Sequence, residues 1–225
     1  MYLLVVGAGR IGSSFIEMAT ADGHDVVVIE SDDERAGTIA DTYDCLVLNA
    51  DATDPEVLEE AGIERADAVV ATTDDDAVNT MVMMMAKEYD VESLISAVRD
   101  QGHIPVFEKI GVTLVENPHQ LIAKHLYHAV KHPAVEDFMQ LEGESEFVEI
   151  RPAPGSPVTR QSLEAAREDG NFPDGALVAA IVRDGEVLTP SGDTKLDPGD
   201  LVTVLVNESS LDEVLEAFGH ESNGS

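Results

Sequence analysis

The sequence predicts an α/β protein in which a doubly wound parallel sheet is followed by a small α+β domain. Two observations carry this prediction. The first thirty residues contain an apolar run, a glycine-rich turn, a helical segment, a second apolar run and a carboxylate. Strand-like and helical segments then alternate through the rest of the first half, as a sheet with helical crossovers requires.

The glycine-rich turn has the spacing of a dinucleotide-binding motif. The first glycine allows a sharp exit from the strand, the second lets backbone approach a pyrophosphate, and the third lets the helix pack closely on the sheet. Glu30 ends the second apolar run, where a carboxylate can bind ribose hydroxyls and repel a 2′-phosphate, which favours NAD over NADP. This context predicts a Rossmann-like unit with phosphates at the helix N-terminus. The motif residues are Gly7, Ala8, Gly9, Arg10, Ile11 and Gly12.

The remaining elements follow from apolar runs and their caps. Pro55 favours the start of a short helix, because its fixed φ suits the first helical position. Ser31 or Asp32 can cap the helix before it. The strands are expected at residues 2–6, 26–29, 45–48, 68–71, 94–98 and 112–115, and a helix is expected between each pair.

The second half begins with a helix that Pro118 opens. Because this helix and its extension from Val130 to Met139 exceed the length of one sheet face, we expect a crossover between two copies of the chain. From Phe147 onward, β-rich runs alternate with Pro- and Gly-rich turns and two short helices. The predicted division is residues 1–117 for the nucleotide-binding domain, 118–139 for the crossover helix and linker, 140–219 for the α+β domain and 220–225 for a disordered tail.

The chain offers weak candidates for a metal site. His125, His128 and His132 share one face of the helix that Pro118 opens, but no Cys or paired carboxylate accompanies them, so an interface or solvated face is favoured. Glu116, at the end of the sixth strand, is a possible contact for a divalent cation. We predict no metal site and leave these two alternatives open.

Charge composition excludes several classes of function. The chain has 45 acidic and 13 basic residues and a formal net charge of −32. Nucleic-acid binding demands a basic face, so it is not expected.

No segment approaches the roughly 18 apolar residues of a membrane span, and a cytoplasmic protein is expected. Acidic residues spread through every segment are typical of proteins adapted to high salt.

Several further stretches resemble the TrkA-type proteins with RCK domains that regulate potassium transporters and channels. The resemblance covers nearly the whole chain, although the family usually has Gly where Asn49 or Ala50 stands. In the first half it is carried by residues 7–12, Glu30, residues 49–53, residues 71–76 with Asn79, and residues 97–99. In the second half it is carried by residues 182–194 and 198–200.

Further site residues lie at the ends of the predicted strands. Asp51 and Ala52 follow the third strand, where an adenine edge would lie. Thr73 and Asp74 follow the fourth strand, beside the point where the strand order reverses. Arg10 and Arg99 can neutralise pyrophosphate. A cation at Arg10 also suits a triphosphate, so ATP or ADP is the alternative ligand to NAD(H).

The resemblance implies a regulatory subunit and not an enzyme. Nucleotide binding would change the packing of a homodimer or higher oligomer of RCK domains. That change would gate a separate membrane subunit that translocates potassium, with this chain at the inner face of the membrane. The alternative is an NAD-dependent oxidoreductase, which needs an acid/base group and a substrate pocket. The second domain contributes no histidine before His220 and no evident acid/base pair.

The charge of −32 generates a prediction about salt. We expect the midpoint of thermal unfolding to rise between dilute buffer and molar KCl, because ions screen the repulsion between carboxylates. Differential scanning calorimetry at several salt concentrations measures this change. An unchanged midpoint would show that repulsion does not limit the stability of the fold.

Overall fold

The computed structural model describes residues 1–141, 143 and 145–221. The chain divides into two compact units, residues 1–121 and the residues from Ile122 onward. No helix in the part of the chain that the structure describes is long and apolar enough to cross a membrane.

The first unit contains a parallel six-stranded sheet in the order β3-β2-β1-β4-β5-β6, which confirms the predicted fold class. This order reverses between β1 and β4, as in dinucleotide-binding sheets. The strands are β1 (Tyr2–Val6), β2 (Asp25–Glu30), β3 (Leu46–Asn49), β4 (Ala68–Ala71), β5 (Ser93–Ala97) and β6 (Leu114–Glu116). The helices are α1 (Arg10–Ala21), α2 (Asp33–Thr42), α3 (Pro55–Glu60), α4 (Asp76–Glu88) and α5 (Ile104–Ile110).

The sheet separates two apolar clusters, because successive side chains of a strand point to opposite faces. On β1, Leu4 and Val6 face one cluster, and Leu3 and Val5 face the other. The first cluster includes residues of α3, α4 and α5, and the second includes residues of α1 and α2. Helices therefore cover both faces and leave the carboxyl ends of the strands as the open edge.

Three helices at this edge begin with an aspartate cap. Asp32 accepts a hydrogen bond from the backbone N–H of Arg35, and Asp54 accepts one from Glu56. Asp75 accepts bonds from Ala77 and Val78 at the start of α4. Such bonds satisfy N–H groups that have no partner inside the helix. Part of the acidic excess is therefore structural.

The second unit contains a five-stranded antiparallel sheet, in the order β10-β9-β11-β8-β7 within the described residues. Its core surrounds Phe218, Ile150 and Leu196, which are fully buried. The strands are β7 (Val135–Gln140), β8 (Ser145–Ile150), β9 (Ala176–Arg183), β10 (Glu186–Leu188) and β11 (Leu201–Asn207). The helices are α7 (Leu163–Glu168) and α8 (Leu211–Ala217), and α6 (Pro118–Lys131) lies across the division between the units.

Two predicted boundaries are corrected. The crossover helix does not continue to Met139, because α6 ends at Lys131 and residues 135–140 form β7. Pro133 lacks a backbone N–H and disfavours helical geometry in the residue before it, which explains the end of the helix. The predicted disordered tail began at His220, but the ring Nε2 of His220 lies 2.7 Å from the carbonyl oxygen of Arg151. The rest of that tail, residues 222–225, lies outside the described residues.

Candidate functional site

The glycine turn connects β1 to α1 at the open edge of the sheet. Gly7 has a φ of +88°, which side chains rarely adopt, and its N–H donates to the carbonyl of Ile29 at 2.9 Å. The hydroxyl of Thr72 donates to the carbonyl of Gly7 at 2.9 Å. Hydrogen bonds from β2 and from the residue after β4 therefore fix the turn on both sides.

The other two glycines of the motif differ in the space around them. A Cβ on Gly12 would lie 2.0 Å from the carbonyl oxygen of Gly7 and 2.7 Å from Oγ1 of Thr72, so no side chain fits. A Cβ on Gly9 would meet nothing within 4 Å. Gly12 is thus required for packing, whereas the open space at Gly9 agrees with close approach of a ligand to the backbone.

The N-terminus of α1 is suited to an anion. Gly9 is its N-cap and provides no side-chain hydrogen bond, and the first turn contains no acidic residue. Free N–H groups and the positive end of the helix dipole attract phosphate. Arg10 and Ile11 are exposed at this turn, and Ala8 is buried. In a chain with 45 acidic residues, this turn combines free donors with a cation.

Glu30 lies across the glycine turn at the end of β2 and is only 4% exposed. One carboxylate oxygen accepts the N–H of Ala8 at 2.7 Å, and the other accepts the N–H of Asp32 at 2.9 Å. Arg35 donates to the same carboxylate at 3.2 Å. Burial alone would raise the pKa of Glu30, but these hydrogen bonds and the charge of Arg35 outweigh it and lower the pKa. The carboxylate is therefore ionised at neutral pH and held in place, and its contact with ribose hydroxyls stays a prediction.

Arg35 was missed in the sequence analysis. Its guanidinium is about half exposed beside Glu30 and also lies 3.9 Å from the carboxylate of Asp32. An arginine five residues beyond a strand end has no motif of its own, so only the fold brings it to the site.

Asp51 and Ala52 follow β3, as predicted, but the side chain of Asp51 has a local role. Its carboxylate accepts the N–H and the hydroxyl of Thr53 at 2.9 and 2.8 Å. These bonds from Thr53 lower the pKa of Asp51. Ala52 is buried in the core. An adenine contact by either residue stays a prediction.

Thr73 and Asp74 follow β4 next to the glycine turn. The backbone N of Thr73 would lie 3.0 Å from a Cβ on Gly7, so the two segments are in close contact. The Thr73 hydroxyl donates to the buried amide oxygen of Asn79 at 2.7 Å. The amide nitrogen of Asn79 donates to the carbonyls of Thr73 and Ala97, which ties the end of β4 to the end of β5.

Arg99 follows β5, and its surroundings contain a second residue that was missed. Its guanidinium donates to the carbonyl of Asp74 at 3.1 Å, and its N–H donates to the carboxylate of Asp76 at 2.8 Å. The same carboxylate lies 2.7 Å from Nδ1 of His103. Whether Arg99 contacts pyrophosphate stays a prediction. The lone His103 had no sequence pattern that could reveal its aspartate partner 27 residues away.

The three histidines of α6 contact an acidic residue, an aromatic ring and one another. His128 contacts Glu146, with Nε2 and Oε2 3.2 Å apart, and its ring stacks on Phe138 at 3.8 Å. The ring of His132 lies 5.0 Å from that of His128, and burial lowers the pKa of His132. His125 stacks on the same Phe138 at 5.4 Å. Among the described residues, no group of three or more His, Cys, Asp or Glu side chains could hold a metal ion.

Comparison with known proteins gives the family. Residues 3–118 match the model of the TrkA-N domain, which covers just over half of the 225 residues. The chain belongs to the TrkA family. Residues 147–219 match the TrkA-C domain. The family predicted from the sequence is thereby confirmed.

Several curated relatives of this chain are named Trk system potassium uptake protein TrkA homologs. The one from Methanothermobacter thermautotrophicus is 30% identical over 97% of this chain and 99% of its own length. The one from Pyrococcus abyssi is 29% identical over 95% of this chain and 96% of its own. Homolog 1 of Methanosarcina mazei is 28% identical, and this chain spans 48% of its length.

Solved structures show the same fold. The GsuK channel bound to NAD superposes with a TM-score of 0.67 and 17% identity, over all of this chain and 40% of that chain. The GsuK RCK domain gives a TM-score of 0.65 and 18% identity, over 99% of this chain and 48% of that chain. The architecture is therefore that of an RCK domain.

The glycine geometry generates a paired prediction. We expect Gly12→Ala to lower the free energy of unfolding by about 3 kcal/mol, because its Cβ would overlap the carbonyl of Gly7. Thermal denaturation in molar salt measures this loss.

Gly9→Ala is the matched control, because its Cβ meets no protein atom. We expect this variant to lose about 1 kcal/mol at most, from the weaker N-cap. Equal destabilisation by the two substitutions would contradict the assigned packing role of Gly12.

Proposed function

We propose that this protein is a nucleotide-binding regulatory subunit of a potassium transport system, with NAD(H) as its ligand. The observation that carries this proposal is the uncapped N-terminus of α1, which faces no acidic side chain in its own first turn. The anchored carboxylate of Glu30 adds a ribose-binding group beside it. In this proposal the N-terminus of α1 binds phosphate on one side of the glycine turn, and Glu30 binds ribose on the other.

Membership of the TrkA family supports potassium transport as the process that this protein regulates. The relatives named above are potassium uptake proteins, and one structural neighbour is a channel bound to NAD. A neighbour at 17% identity over 60% of this chain is GsuK bound to ADP, with a TM-score of 0.51. Proteins of this fold therefore include one bound to NAD and one bound to ADP. The buried acid at Glu30 favours a ligand with free ribose hydroxyls, which NAD(H), ATP and ADP share.

We propose that nucleotide binding acts by changing how paired copies of the nucleotide-binding domain pack together. A ligand shifts an equilibrium between two arrangements only when it binds one of them more tightly. The proposed partner is a membrane subunit that translocates potassium, and this protein would lie at the inner face of the membrane through that partner. No catalytic residue is proposed.

Calorimetric titration tests the ligand. We expect NADH to bind the purified protein in molar salt, and Glu30→Gln to weaken NADH about tenfold, because a neutral amide replaces an ionised acceptor of ribose hydroxyls. Parallel titrations with NAD, ATP and ADP rank the ligands.

Glu17→Gln provides the matched control, because Glu17 is an exposed acid on α1. Its NADH affinity should equal that of the unmodified protein. No binding of any of the four nucleotides would refute the proposed function, and NADH turnover with carbonyl substrates would favour the oxidoreductase alternative.

We also propose that this protein self-associates through α6. None of the α6 residues is buried, although several are large and apolar. Ile122, Leu126 and Val130 recur at intervals of four residues and are 59%, 63% and 77% exposed. Such a stripe on a helix favours packing against a second helix.

Sedimentation velocity tests this interface. We expect the protein to be a dimer or larger at micromolar concentration in molar salt, and Leu126→Glu to shift it toward monomer by placing a charge in the apolar stripe. Val187→Glu is the control, because Val187 is 73% exposed on β10 and away from α6. A monomeric wild-type protein would refute the proposed association.

A further inference from the structure

A pocket of about 450 Å³ opens beyond the glycine turn, on the side away from Glu30. It is formed where β4 and β5 end and where α4 begins. Its lining combines carboxylates with two basic side chains, and consists of Asp74, Asp75, Asp76, Ala77, Arg99 and His103.

This pocket lies where a dinucleotide would continue. Thr73, which precedes the pocket residue Asp74, packs against Gly7 of the glycine turn. Glu30 lies on the opposite side of the turn, on β2. In a sheet whose order reverses between β1 and β4, a dinucleotide lies across the reversal and places one nucleoside on each side. ADP, which has a single nucleoside, would fill only the side of Glu30.

We propose that His103 is the residue that distinguishes NAD(H) from ADP, by binding through Nε2 to the second nucleoside of the dinucleotide at this pocket. This inference rests on the proposed nucleotide function and specifies the ligand of the same site.

Asp76 holds His103 in place. Its carboxylate is 10% exposed and accepts the N–H groups of Arg99 and Asp100 at 2.8 and 3.0 Å, in addition to its contact with Nδ1 of His103. The imidazole thus uses one nitrogen to bind protein. Among the described residues, no hydrogen bond occupies its other nitrogen, Nε2, and the side chain is 53% exposed at the pocket.

The pocket offers both donors and acceptors. Asp75 caps α4 and Asp76 is bound by three donors, so two of the three carboxylates are already engaged. Asp74 lines the pocket as an acceptor. Arg99 is a donor, and Nε2 of His103 is also a donor when the imidazole is protonated. Ribose hydroxyls both donate and accept, and a carboxamide does the same, so the nicotinamide riboside suits this mixed lining.

Protonation of His103 links the pocket to pH. The hydrogen bond with Asp76 raises the pKa of His103, partial burial opposes the shift, and the charge of Asp100 adds to it. The other charged groups at the pocket are Asp74, Asp75 and Arg99. Protonated Nε2 of His103 is a donor below this raised pKa, and the donor is lost as pH rises through the pKa.

Calorimetry with NADH and ADP tests the inference, because NADH contains the whole of ADP and adds the second nucleoside. We expect His103→Ala to weaken NADH about tenfold and to leave ADP unchanged. The NADH affinity of the unmodified protein should fall as pH rises from about 6 to about 9, and this dependence should be lost in His103→Ala.

His24→Ala is the matched control, because His24 follows α1 and precedes β2 at the opposite end of the sheet. Equal effects of His103→Ala on NADH and ADP, or no effect on either, would overturn the subsite while nucleotide binding stands. Binding of ADP without NADH would also overturn it. Failure of both ligands to bind the unmodified protein would refute the proposed function, and the subsite with it.

Discussion

The packing of α1 against the glycine turn is the constraint on which the rest of the N-terminal unit depends. The helix backbone at Gly12 lies so close to the carbonyl of Gly7 that no Cβ fits between them. This contact directs the N-terminus of α1 at the open edge of the sheet. It also brings Thr72 and Thr73, after β4, against the turn. The N-terminus of α1 and the segment after β4 are thus positioned by one backbone contact.

Much of the fold could be predicted from local pattern. The six strands were found because buried parallel strands form short apolar runs, and the helix starts because Asp32, Pro55 and Asp75 occupy positions that favour them. The end of α6 was missed. Residues 130–139 continue an apolar pattern, which suggests a longer helix. Pro133 ends the helix within that pattern. Short apolar segments do not distinguish a helix from a strand such as β7.

The candidate site could be predicted only in part, for a similar reason. The glycine turn and Glu30 were found because their spacing is local and their order along the chain is fixed. Arg35 and His103 were not found, because each gains its role from a partner that the fold supplies. The carboxylate of Asp51 binds its neighbour Thr53, and its contact with an adenine edge stays a prediction. In so acidic a chain, sequence alone does not separate a structural carboxylate from one that faces a ligand.

The hydrogen bonds that hold Glu30 have a consequence for response time. The carboxylate is bonded to the backbone N–H groups of Ala8 and Asp32, so the protein itself fixes its position. A preformed site needs little ordering on binding, so association is not slowed by rearrangement of this group. Occupancy would then follow changes in the nucleotide pool with a delay set by ligand dissociation. The residence time of the nucleotide, more than its rate of association, would then set how quickly the proposed regulatory subunit responds to a change in nucleotide concentration.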